Sequence, residues 1–167
     1  MRLEEQKTPL YFEDLHVGQR FTSGTFQMDE TAIKLFASQF DPQPIHIDEA
    51  AAREGMFQGI IASGWHTASV AMRLLTTGGL PFANNMVGLS CNLAWPRPTR
   101  PGDILQVESE IQEIARSSNS KRGIVTVRST MSNQRGETVY ILTAKIMVSK
   151  RAIRDSKPER ASAVDEP

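Results

Sequence analysis

The sequence predicts an α+β domain, an antiparallel sheet with helices on one face. Three observations lead there. From Asp29 to Thr76 the apolar side chains recur at helical spacing. After Pro81 they alternate with a period of two. The turn Asn133-Gln134-Arg135-Gly136 then joins two alternating runs as a hairpin.

The elements follow in order. Arg20 to Met28 reads as a first strand. From Asp29 to Phe40, the side chains of Ile33, Phe36, Ala37 and Phe40 share a helical face, with Asp29 as N-cap. A short helix, DEAAARE, starts near Asp48 and stops at Gly55. From Ser63 to Thr76, Trp65, Ala68, Ser69, Met72 and Leu75 fall on one face. Gly64, Ala68 and Ala71 leave room there for a close neighbour, and Gly78-Gly79 ends the segment. Asn85 to Trp95 is a further strand, and Cys91 within it is assigned to the core. Leu105, Val107 and Ile111 alternate with Gln106, Glu108, Glu110 and Gln112, which describes a strand with one wet face. Val125, Val127 and Met131 form the next apolar set, and Tyr140, Leu142, Ala144, Ile146 and Val148 the last. Residues 10–149 are thus expected to form one domain, with a flexible N-terminus over 1–9 and a charged, disordered tail over 150–167.

Composition narrows the function. The chain has 167 residues, with 19 basic and 19 acidic side chains, so its formal net charge is zero. It has no global field to draw it onto nucleic acid or an anionic membrane. No apolar run approaches the roughly 18 residues that span a bilayer. The segment MRLEEQKTPLYFEDL lacks the apolar stretch of a signal peptide, so a cytoplasmic location is expected. One cysteine cannot form an internal disulfide, and three histidines show no zinc-ligand spacing, so no metal site is expected.

Chemistry concentrates in two stretches. In Phe40-Asp41-Pro42-Gln43-Pro44-Ile45-His46-Ile47-Asp48, two prolines exclude helix and predict a rigid, extended loop. Such a loop can hold Asp41 and His46 as two proton-transfer groups in fixed relation. The same residues also suit a plainer arrangement, in which Asp41 ends one helix, Asp48 caps the next and His46 is a buried structural histidine. In Gly59-Ile60-Ile61-Ala62-Ser63-Gly64-Trp65-His66, a helix begins at a glycine, so a ligand oxygen could approach the Gly64 N–H. Ser63 fits either an N-cap or a donor to substrate. His66 is a candidate pocket wall, whereas His16 reads as structural or solvated. Arg97 and Arg100 are either solvated loop residues or contacts for phosphates. Lys121-Arg122 reads as a solvated hairpin turn.

FDPQPIHIDEAAA followed by GIIASGWHT resembles the MaoC-like hydratases, the (R)-specific enoyl-CoA hydratases of the hot-dog fold. The family signature places Asp, Pro, His and Asp as Asp41, Pro44, His46 and Asp48 stand here. LAWPRPTRPGD (93–103) and NQRGETV (133–139) also look like this family, so the resemblance spans roughly residues 10–149. It implies an antiparallel sheet wrapped around the helix that begins near Ser63, and a homodimer or higher homo-oligomer with active sites between protomers. It also implies Asp41 and His46 as the catalytic pair and Gly64 as the oxyanion donor, with Ser63 beside it. The substrate would be an acyl-CoA thioester, with no cofactor beyond the coenzyme A it carries. Arg97 and Arg100, if not simply solvated, are the candidates to meet the coenzyme A phosphates of such a substrate. Two departures from the family pattern stand in the loop. Phe40 replaces a glycine and reshapes the pocket mouth, and Gln43 replaces an asparagine. A hot-dog thioesterase and a non-catalytic acyl-thioester-binding subunit are the competing expectations.

Overall fold

The computed structural model describes residues 8–115 and 121–151. The readings of 1–9 and 150–167 as tails therefore lie mostly outside the described residues. Lys150 and Arg151 are still attached to the body: the Lys150 N–H donates to the Lys121 carbonyl, and Arg151 pairs with Asp14 at 2.7 Å.

Five antiparallel strands form a single sheet. They are β1 (Arg20–Gln27), β2 (Val87–Ala94), β3 (Ile104–Ala115), β4 (Arg122–Ser132) and β5 (Thr138–Ser149). Their spatial order is β1-β3-β4-β5-β2. The strands before and after the helical segment are thus the two edges, and that segment must cross the sheet between them. β3, β4 and β5 alternate buried and wet residues as their sequence predicts. Leu105, Val107, Ile111, Val125, Val127 and Met131 are all almost fully buried, each stabilising the fold by about 1.5–3 kcal/mol. Ser109 and Ser129 face the same interior and satisfy each other through a 2.7 Å hydrogen bond.

The described residues form four α-helices, α1 (Glu30–Phe40), α2 (Pro44–Ile47), α3 (Glu49–Glu54) and α4 (Gly64–Leu74), of which α4 packs on β1 and β3. The predicted caps form. Asp29 accepts the Ala32 N–H, and Asp48 accepts those of Ala50 and Ala51. α4 is the central helix, with Val70, Ala71 and Leu74 in the main core. It runs on into a π-type segment, Leu75–Gly79, whose helical geometry breaks at Thr77 and at Gly78, where φ is +121°.

Three expectations are corrected. The proline loop is not extended throughout, because Pro44 opens the helical turn α2. Proline is accepted at a first helical position, where its missing N–H has no partner to lose. Cys91 is exposed instead of in the core, because β2 is an edge strand with almost no covered residue. Of the face predicted on α4, Trp65 and Met72 point outward, at 60% and 53% exposure, whereas Leu75 is buried, and the helix otherwise buries Thr67, Val70, Ala71 and Leu74.

Candidate active site

The end of α1 places Asp41. Its N–H closes the helix on the Ala37 carbonyl, and Pro42 prevents continuation. α2 then presents His46, which is buried, with Nδ1 2.8 Å from the Ile61 carbonyl. A carbonyl can only accept, so Nδ1 carries a proton and Nε2 is the nitrogen turned toward Asp41. Nε2 lies 3.3 Å from Asp41 Oδ2. Asp41 thus ends a helix with its backbone and faces His46 with its side chain.

The carboxylate is held at both oxygens. The Ser63 hydroxyl donates to Oδ2 at 2.6 Å, and Gln43 Nε2 donates to Oδ1 at 2.7 Å. These bonds, Ser63 first, hold the Asp41 carboxyl below the usual carboxylate range against the opposing effect of burial. The stability this lends is present above the unfolded carboxyl's pKa and is lost as pH falls through the folded one.

α4 supplies the other side of the site. Ser63 caps it, accepting the Trp65 N–H at 3.2 Å. The Gly64 N–H meets no protein acceptor among the described residues and stands at the positive end of the helix dipole. Trp95 Nε1 donates to the Gly64 carbonyl at 2.9 Å, and a Cβ at position 64 would come within 3.1 Å of its ring. A cleft of about 360 Å³ brings His46, Gly64, Thr67, Phe57, Trp95 and Arg97 together. Beyond Trp95 lies a larger apolar groove of about 670 Å³, lined by Trp65, Met72, Leu75, Leu89, Tyr140 and Ile146. Trp95 stands between the two, its ring 5.6 Å from Trp65 and 6.2 Å from Tyr140. Burial pushes the Tyr140 phenol up to about 12, so it stays neutral.

Other sequence candidates fall nearby in different roles. Gln43 steadies Asp41. Phe40 is exposed and packs on Phe36 at 5.1 Å, outside the cleft lining. His66 stacks flat on Phe36 at 4.7 Å, its Nδ1 without a hydrogen-bond partner, and burial lowers its pKa. Arg97 lines the cleft, whereas Arg100 donates to the Phe57 carbonyl at 2.8 Å and braces that loop. His16 is exposed. Trp95 and Phe57 were not anticipated as site residues. The pairing of a lone aromatic before a proline run with a bare glycine at a helix start was the available signal for Trp95. Among the described residues no three His, Cys, Asp or Glu side chains cluster as metal ligands, and no helix is long and apolar enough to cross a membrane.

A single antiparallel sheet wrapped around α4 makes this a hot-dog domain with a carboxylate–imidazole pair at the start of its central helix. Residues 13–133 match the MaoC like domain, and the chain belongs to the MaoC-like dehydratase family. A MaoC-like dehydratase from Rhodospirillum rubrum is similar at 51% identity and a TM-score of 0.84, over 86% of this chain and 99% of that one. The R-hydratase PhaJ1 from Pseudomonas aeruginosa is 29% identical with a TM-score of 0.69, over 86% and 88% of the two chains. The 3-hydroxybutyryl-CoA dehydratase of Methylorubrum extorquens is 33% identical over 105 residues, 63% of this chain and 66% of that protein.

Proposed function

We propose that the protein adds water to a 2-enoyl-CoA, or removes it from the 3-hydroxyacyl-CoA in reverse. The observation that carries this is the approach of His46 Nε2 to Asp41 Oδ2, at 3.3 Å, beside the Gly64 N–H. The thioester oxygen binds the Gly64 N–H, where developing negative charge meets the helix dipole. A water held by Asp41 and His46 gives a proton to Nε2 as its oxygen bonds to C3, and the C2–C3 π electrons move to the enolate. The same Nε2–H then returns a proton to C2, restoring the thioester. Asp41 stays ionised throughout and offsets the imidazolium charge. Arg97, on the cleft rim, suits a coenzyme A phosphate. The groove past Trp95 suits the acyl chain.

The test follows loss of the conjugated absorbance of crotonyl-CoA and longer 2-enoyl-CoAs, with a thiol reagent in parallel. Absorbance loss without free thiol is expected. Thiol release would reassign the protein to the thioesterases, and silence in both channels would favour a binding subunit.

The reading includes a homodimer. β2 leaves its edge open, and Leu89, Trp65 and Met72, which line one groove, are exposed there. Leu89→Glu places a charge there in each protomer. It should convert the dimer to a monomer in light scattering. A wild-type chain that is already monomeric would remove this part of the reading.

A further inference from the structure

We propose that Trp95 sets the length of acyl group the site accepts. Its indole, pinned to Gly64, stands between the cleft and the apolar groove, so crotonyl-sized groups fit and longer ones enter only by displacing the ring. The inference rests on the hydratase reading, because it takes the Gly64 N–H as the place of the thioester oxygen. Its basis is that Gly64 is used twice. The N–H meets no protein acceptor among the described residues, while the carbonyl of the same residue accepts the Trp95 Nε1 proton at 2.9 Å. An indole nitrogen only donates, so this bond fixes which way the ring lies. The ring is so close to the backbone that a Cβ at position 64 would come within 3.1 Å of it. Whatever binds at the Gly64 N–H therefore lies beside the indole.

Neighbouring groups hold the ring in that place. Pro96 confines the Trp95 backbone to extended conformations. Trp65 meets the indole edge-on at 5.6 Å, and Tyr140 lies 6.2 Å away. Trp65 and Tyr140 line the groove of about 670 Å³, whereas Trp95 lines the cleft of about 360 Å³ with His46 and Gly64. The three rings are thus the partition between the two spaces. The partition can move, because Trp95 is 40% exposed and no packed core confines its outer edge. A methylene buried in apolar surroundings gains about fourfold in binding. While the indole is in place, a longer chain must first break the Nε1 bond and the ring contacts, which offsets that gain. Once the ring is removed, each added methylene enters the groove and the gain appears in full.

The experiment measures binding of butyryl-, hexanoyl- and octanoyl-CoA by calorimetry, together with kcat/KM for the matching 2-enoyl-CoAs. The saturated thioesters have no double bond to hydrate, so binding is read without turnover. In wild type, affinity should stay level or fall from butyryl to octanoyl. In Trp95→Ala it should rise about fourfold per methylene, and the octenoyl-to-crotonyl ratio of kcat/KM should climb at least about tenfold. Trp95→Phe, which keeps a ring without the Nε1 donor, should lie between. Ala68 lines the groove, so adding Ala68→Leu should cancel the gain of Trp95→Ala. If Trp95→Ala does not fold, Trp95→Leu makes the same comparison. The same length dependence in wild type and variant would overturn the inference. So would a gain that survives Ala68→Leu, because the chain would then lie outside the groove. If binding shifts as expected and no enoyl-CoA is hydrated, the hydratase reading fails and the gate stands. If hydration proceeds with an unmoved length profile, the reading stands and the gate falls. Absence of binding by all three thioesters would remove both.

Discussion

Asp41→Asn should lower kcat by about 10²–10⁴, the range for a lost group in acid–base work. At 1.36 kcal/mol per tenfold, that is a loss of roughly 3–5 kcal/mol of transition-state stabilisation. The substitution is close to isosteric. An amide oxygen can still accept one of the bonds from Ser63 and Gln43, so the loop should keep its course. What disappears is the negative charge facing Nε2 across 3.3 Å, the charge that offsets an imidazolium. His46→Ala should cost a similar factor by removing the proton acceptor itself. It should also destabilise by about 1–3 kcal/mol, because the Ile61 carbonyl loses its donor in a buried setting. The two variants thus separate in thermal melts while converging in rate. Wild-type turnover in either one, with a folded chain by circular dichroism, would remove Asp41 and His46 from the mechanism.

The other large effect is on stability. Gly79→Ala should destabilise the fold by about 3 kcal/mol, the upper part of the range for overpacking. A Cβ at this position would lie 2.6 Å from the Leu74 carbonyl oxygen and 3.2 Å from Ser23 Cβ. The first neighbour is backbone at the junction of α4 and the π segment, so it cannot swing aside. The second is buried on β1, where Ser23 Oγ accepts the Val107 N–H at 2.9 Å. Strain at position 79 therefore reaches the β1–β3 pairing, at the register shift between Thr22 and Thr25. For a chain of this size the melting temperature should drop by roughly 6–12 °C. An unchanged melting temperature would contradict the close packing of the π segment on β1. Residual activity at low temperature should be little altered, because Gly79 is remote from Asp41 and His46.

The local signals in this sequence were reliable where a short stretch of chain settles the outcome. Asp29 and Asp48 cap helices because their side-chain oxygens reach N–H groups two or three residues away. Alternation along β3, β4 and β5 predicts their inward faces because the pleat has a period of two. The spacing of Asp41 and His46 survives folding because the prolines leave the intervening chain few conformations. One local inference failed for an equally local reason. Pro44 was read as a helix breaker, but at a first helical position it is a helix starter.

What only the tertiary structure decided depends on contacts between distant segments. Alternation cannot reveal that β2 is an edge, and so Cys91 looked buried although it is exposed on that strand. Nor can helical spacing say which apolar stripe of α4 meets the sheet when Trp65 and Met72 mark one stripe and Val70 and Leu74 another. Ser63 reads as a cap from its neighbours, and its bond to Asp41 exists only because α4 folds back onto the loop after α1. Trp95 meets Gly64 across 31 residues, where the missing Cβ leaves room for an indole ring. The sequence by itself determined most of the elements, their caps and the spacing of Asp41 and His46, because each depends on backbone preferences over a few residues. The cleft, its Trp95 wall and the Ser63 hydrogen bond to Asp41 came from packing, because each joins segments far apart in sequence.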